Sequence, residues 1–83
     1  MKQQEFLVKL GNRIREARLN ADLTQTKLAY RMRVSRTQIC NIEAGRSNTS
    51  VWMLAKIAAS CGVELSDLLA RREKSAIAQS VIK

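Results

Sequence analysis

Between residues 24 and 45 the chain reads TQTKLAYRMRVSRTQICNIEAG, a pattern that fits two short helices joined by a tight turn. Thr24 carries a hydroxyl able to cap a first helix that buries Leu28 and Ala29. Ser35 with Gln38 three positions on is a Ser-x-x-Gln capping box that opens a second. The second helix buries Ile39 and Ile42 at i, i+3 spacing, which leaves Arg36, Thr37, Cys40 and Asn41 on its other faces. A helix with an apolar back and a polar front is held by the body of a protein and turned outward.

The flanking sequence supplies that body. Leu7, Leu10, Ile14 and Ala17 step by three and four, with Lys9, Arg13, Glu16 and Arg18 between them, so an amphipathic helix is expected over about residues 4–20. Asn20, Ala21 and Asp22 break that period before Thr24 restarts it. Residues 46–49 read as polar loop, with Asn48 or Thr49 available as the next N-cap, and a fourth helix is expected over about residues 50–60. Leu54, Ile57, Ala58 and Cys61 share its apolar face, and Gly62 is placed to end it in a left-handed cap. Val63 and Leu65 follow as core plugs, and Ser66 is able to open a short fifth helix containing Leu68 and Leu69. Sustained period-two alternation is missing. The expectation is therefore an all-α bundle of about five short helices in one domain, its core over residues 7–71. The tail, 72–83, either adds a sixth amphipathic turn through Ala76, Ile77, Val81 and Ile82 or frays.

Charge narrows the partners. Lys and Arg number 15 against 7 acids, a net charge of +8 that favours a polyanion. Residues 24–49 hold about half of the excess, as Lys27, Arg31, Arg33, Arg36 and Arg46 against Glu43 alone. With no histidine, no paired carboxylates at a workable spacing and no glycine-rich phosphate loop, an enzyme is not expected. Cys40 and Cys61 are isolated, which supports neither a metal site nor a redox pair, and no cofactor or small-molecule ligand is indicated. Lys9 interrupts Phe6-Leu7-Val8, and no apolar run nears the ~20 residues of a membrane span, so the expectation is a cytoplasmic protein with no membrane partner.

Many positions now stand in one register. Arg15-Glu16-Ala17-Arg18, Leu23-Thr24-Gln25, Leu28-Ala29, Val34-Ser35, Ile39, Ile42-Glu43-Ala44-Gly45, Leu54-Ile57-Ala58 and Gly62-Val63 together resemble the helix-turn-helix domain of the Xre-type phage-repressor family. That resemblance runs from Leu10 to about Leu69. It implies a lambda-repressor-like fold, operator binding as a homodimer and control of transcription. Compact members of this kind are similar to controller proteins of restriction–modification systems and to small phage or plasmid repressors. An antitoxin-like subunit that binds another protein as well as DNA is the alternative.

The front of the second helix then acquires roles. Its first residues would meet base edges in a major groove roughly 12 Å wide, which puts Ser35, Arg36 and Thr37 closest and Asn41 one turn further in. Arg36 can bond two acceptors of guanine, Thr37 offers a methyl to thymine, and the amides of Gln38 and Asn41 suit adenine. Gln25, at a helix start that favours a phosphate, is by resemblance a backbone clamp, with Lys27 a secondary contact and Arg46, Ser47 and Asn48 gripping phosphates from the loop. Cys40 either touches DNA or packs at the helix edge. Glu43 reads as a structural helix residue. Arg33 stands where such turns commonly have glycine, so a left-handed conformation there would be strained.

One small domain reads too little DNA to be specific. Trp52, Met53, Val63, Leu65 and Leu69 are the candidates for a dimer interface, with Trp52 read as core or dimer contact and not as a base-stacking platform.

Overall fold

The structure, a computed structural model, describes residues 2–69, and the expected tail over 72–83 lies outside them. Five helices follow in order: α1 (Gln3–Asn20), α2 (Gln25–Met32), α3 (Arg36–Glu43), α4 (Val51–Cys61) and α5 (Leu65–Leu69). No strand occurs among the described residues. α1 packs on α3, α4 and α5, and α2 packs on α3 and α4, so the helices surround one core. Ile14, Leu28, Ile39, Ile57 and Leu68 are its fully buried centre, one from each helix.

Helix starts follow side-chain chemistry. Thr24 Oγ1 accepts from Lys27 N at 3.0 Å and Ser35 Oγ from Gln38 N at 3.0 Å, as the sequence predicts. The reciprocal half of the Ser35–Gln38 capping box is not formed, so among the described residues the Gln38 amide has no partner. Neither Asn48 nor Thr49 caps α4. Ser50 does, accepting from Met53 N at 3.0 Å, because it is the hydroxyl three residues before that orphan amide. α5 opens at Leu65, one residue before Ser66, where Asp67 Oδ2 accepts from Glu64 N at 3.1 Å.

Helix ends repeat a single device. After α1, α2, α3 and α4 the chain enters the left-handed region, at Asp22 (φ 60), Arg33 (φ 59), Gly45 (φ 75) and Gly62 (φ 74). In each case that residue's N–H and the next one's reach back to the last turn, as in Val34 N to Ala29 O and Arg46 N to Asn41 O. This is the Schellman closure, in which an apolar residue after the left-handed one usually packs on the helix just ended. Leu23, Val34 and Val63 do so, the first buried and the other two half-buried against the core. The residue in that place after α3 is Arg46.

α1 and α3 cross very closely. A Cβ on Gly11 would collide with the carbonyl oxygens of Ile42 and Glu43, so the missing side chain is what allows the contact. Trp52 is 72 % exposed, which removes the core reading for it; it lies on the first turn of α4, where the apolar face of that helix has already rotated away. Val63 and Leu65 are half-buried at the margin of the core and not its plugs.

Arg33 bears the expected strain, since the presence of a Cβ disfavours this region by roughly 1–2 kcal/mol. Replacing it with glycine should raise the melting temperature by about 4–8 °C, given a net gain near 1 kcal/mol in a domain of this size. A melting curve shifted downward would overturn this.

Candidate nucleic-acid interface

At the junction of α1, α2 and α3 lies a polar chain that begins in the core and ends at the surface. Arg18 and Glu43 are both 7 % exposed. Arg18 Nε donates to Glu43 Oε2 at 2.6 Å and its Nη2 to Oε1 at 3.1 Å, a two-pronged ion pair; Nη1 donates to the Leu23 carbonyl at 2.8 Å. Gln25 Nε2 adds a bond to Glu43 Oε1 at 3.1 Å. Arg36 Nη1 then donates to Gln25 Oε1 at 3.1 Å. The orientation of the Gln25 amide is dictated from both ends, because a carboxylate only accepts and a guanidinium only donates.

Sequence reasoning missed Arg18. Its signal was nonetheless present: Leu10, Ile14 and Arg18 are spaced by four, which sets Arg18 on the buried stripe of α1. A buried guanidinium needs a carboxylate, and Glu43 meets that need. Gln25, expected as a phosphate clamp, is bound on both sides by protein and retains one amide N–H for a ligand.

The outer edge of α3 carries Arg36, Thr37 and Gln38 exposed and Asn41 half-buried, with Ser35 exposed at its cap. All five expected base-reading residues therefore sit on one helix edge or at its start. Lys27 is exposed on the first turn of α2. Beyond α3, the loop residues Ser47, Asn48 and Thr49 join Gln38, Asn41 and Ser50 around an open groove of about 380 Å³. Thr49 Oγ1 is buried beside it with no hydrogen-bond partner among the described residues, and Gln3 Nε2 donates to Asn48 Oδ1 at 3.3 Å. Arg46 is exposed but turns back onto α3, with Nε 3.3 Å from Asn41 Oδ1 and Nη2 3.9 Å from Cys40 Sγ. Cys40 thus lies half-buried at the helix edge, under this guanidinium.

Of the candidate dimer residues, only Trp52 is exposed, next to Val51 at 67 %. Met53, Val63, Leu65 and Leu69 are half-buried against the core, and Met53 also borders the groove beside Asn41. Cys61 is buried, and burial pushes its thiol above the ordinary value. No helix of the described residues is long and apolar enough to cross a membrane.

An outward-facing second helix, polar on its exposed edge, capped by Ser35 and braced through Gln25, defines a helix-turn-helix DNA-binding protein. Residues 14–68 match the Helix-turn-helix family, and the chain belongs to it. It is similar to the control protein C.MunI of a Mycoplasma species, 35 % identical over 71 residues that cover 84 % of this chain and 96 % of that one. It is also 38 % identical to the control protein C.BamHI of Bacillus amyloliquefaciens over 60 residues, 71 % of this chain and 74 % of that one. Among solved structures, the restriction-modification controller protein C.AhdI from Aeromonas hydrophila superimposes with a TM-score of 0.72 at 34 % identity, covering 75 % of this chain and 94 % of that one. The chain is a helix-turn-helix transcriptional regulator of this Xre-like kind, and not an enzyme.

Removing Glu43 would leave the Arg18 guanidinium buried without a counter-charge. Glu43→Ala should cost about 3–5 kcal/mol, measured by denaturant unfolding. Adding Arg18→Met should recover most of that loss, and a double variant no more stable than Glu43→Ala would refute the account.

Proposed function

We propose that this protein controls transcription of a restriction–modification system by binding a pseudo-palindromic operator as a homodimer in the cytoplasm. The observation that carries this reading is the held side chain of Arg36: at the start of α3, on the outer edge, it is steadied by Gln25 while its other donors remain open. A guanidinium fixed in advance loses less freedom on bonding to O6 and N7 of guanine, and such a two-pronged contact discriminates by about 1–3 kcal/mol. Thr37, Gln38 and Asn41 continue the reading edge, with Ser35 at its start. Gln25, Lys27, Ser47 and Asn48 hold phosphates to either side. The net charge of +8 supplies the long-range attraction.

Dimerisation supports specificity, since two recognition helices about 34 Å apart read successive major grooves. Val51 and Trp52, exposed together on the first turn of α4, offer the apolar surface, and Met53, Val63, Leu65 and Leu69, half-buried at the core margin, are further candidates. The names of the relatives favour a controller role.

Selection of bound duplexes from a random pool tests the reading. Arg36→Ala should relax one base position. Gln25→Ala should relax the same position part of the way and weaken every sequence, because Gln25 both steadies Arg36 and offers its last N–H to a phosphate. Affinity should fall steeply with salt, and a pool that yields no motif would sink the proposal. In sedimentation, Trp52→Ser should shift the monomer–dimer balance toward monomer by tenfold or more, on the order of the loss of one aromatic anchor; a wild-type protein that is monomeric at every concentration would remove the dimer.

A further inference from the structure

The Schellman closure after α3 differs from the other three in the residue that folds back onto its helix. Where Leu23, Val34 and Val63 bring an apolar side chain to the core, Arg46 brings a guanidinium to the front. The closure itself aims it: Gly45 takes φ 75, Arg46 N donates to Asn41 O at 2.9 Å, and the side chain of Arg46 is thereby laid along the last turn of the recognition helix. There Nε meets Asn41 Oδ1 at 3.3 Å and Nη2 lies 3.9 Å from Cys40 Sγ. Because a guanidinium can only donate, the atom of Asn41 that faces it must be the carbonyl oxygen. The NH₂ of Asn41 remains wholly for the groove, whereas its oxygen keeps one lone pair, beside a positive charge.

We infer that Arg46 is a positioning residue for base reading, and that it makes Asn41 a reader of keto bases, guanine or thymine. The inference rests on the DNA-reading role proposed above. An amide pairs with adenine by accepting from N6 while donating to N7. Here Arg46 takes one lone pair of the accepting oxygen, and an amino group approaching the other would meet a neighbouring positive charge. Guanine O6 and thymine O4 are acceptors, and both suit the free NH₂ with the guanidinium close behind it. Adenine and cytosine, with an amino group at the corresponding place, are disfavoured. Arg46 thus does more than hold a phosphate, and the position it affects is the one read one turn inside the helix start.

The test is a random-pool selection with the full-length wild type, Asn41→Ala and Arg46→Ala in parallel, each also melted. Wild type should enrich guanine or thymine at the one position that Asn41→Ala relaxes. Arg46→Ala should keep the rest of the motif and lose about fivefold of the keto preference at that same position, on the scale of a single base contact. Adenine or cytosine enriched there by the wild type overturns the inference, as does an Asn41→Ala protein that relaxes no position. An Arg46→Ala protein that binds all sequences more weakly with its motif unchanged reduces Arg46 to a phosphate contact and also overturns it. Should Arg46→Ala fail to fold, the base enriched by wild type and relaxed in Asn41→Ala decides alone. Absence of any motif in all three proteins sinks DNA reading itself, an outcome distinct from a motif in which only the Arg46 effect is missing.

Discussion

The Arg18–Glu43 pair is the constraint on which the rest of the molecule depends. It joins α1 to the last turn of α3 beneath the surface, near the place where Gly11 lets the two helices touch backbone to backbone. Burying two charges is expensive, and their attraction does little more than offset the desolvation, so the pair adds little net stability. Its value is positional. A guanidinium that must find both oxygens of one carboxylate and the Leu23 carbonyl tolerates few alternative placements of α3. Hydrophobic packing of Ile39 and Ile42 would hold the helix down without fixing its rotation so narrowly.

From that anchor the order passes outward. Glu43 holds Gln25, and Gln25 holds Arg36, so a side chain at the surface inherits its placement from a charge in the core. The far end of α3 is organised differently, by backbone: a left-handed glycine and two reaching N–H groups lay Arg46 against Asn41. Both ends of the recognition helix therefore have an arginine and an amide in contact. At one end the amide steadies the arginine, and at the other the arginine orients the amide.

Much of the fold was legible in residue spacing. Thr24 and Ser35 announce helix starts because a hydroxyl three residues before an orphan amide satisfies it, whatever the rest of the chain does. Gly62 marks a helix end for an equally local reason, the steric freedom of a glycine in the left-handed region, whereas Arg33 takes that conformation against its steric cost and was pointed to only by the family resemblance. The start of α4 was less clear because Asn48, Thr49 and Ser50 can all cap a helix, and the choice falls to whichever one the incoming loop sets in extended conformation. Trp52 was ambiguous since an aromatic residue in an apolar helix serves a core or a surface equally well, and only the rotation of α4 decides.

By itself, then, the sequence determined the helices, their apolar faces, the basic balance and the residues on the outer edge of α3, since each depends on neighbours within a turn or two. The spacing of α1 already sets Arg18 on its buried stripe, but tertiary structure alone decided that Glu43 is its partner across 25 positions. It also turned Gln25 into a link across 18 positions and aimed Arg46 at Asn41 instead of outward. These are choices among several polar groups of suitable chemistry. Sequence spacing cannot rank them, because the desolvation and geometry that favour one partner over another exist only after the helices have packed.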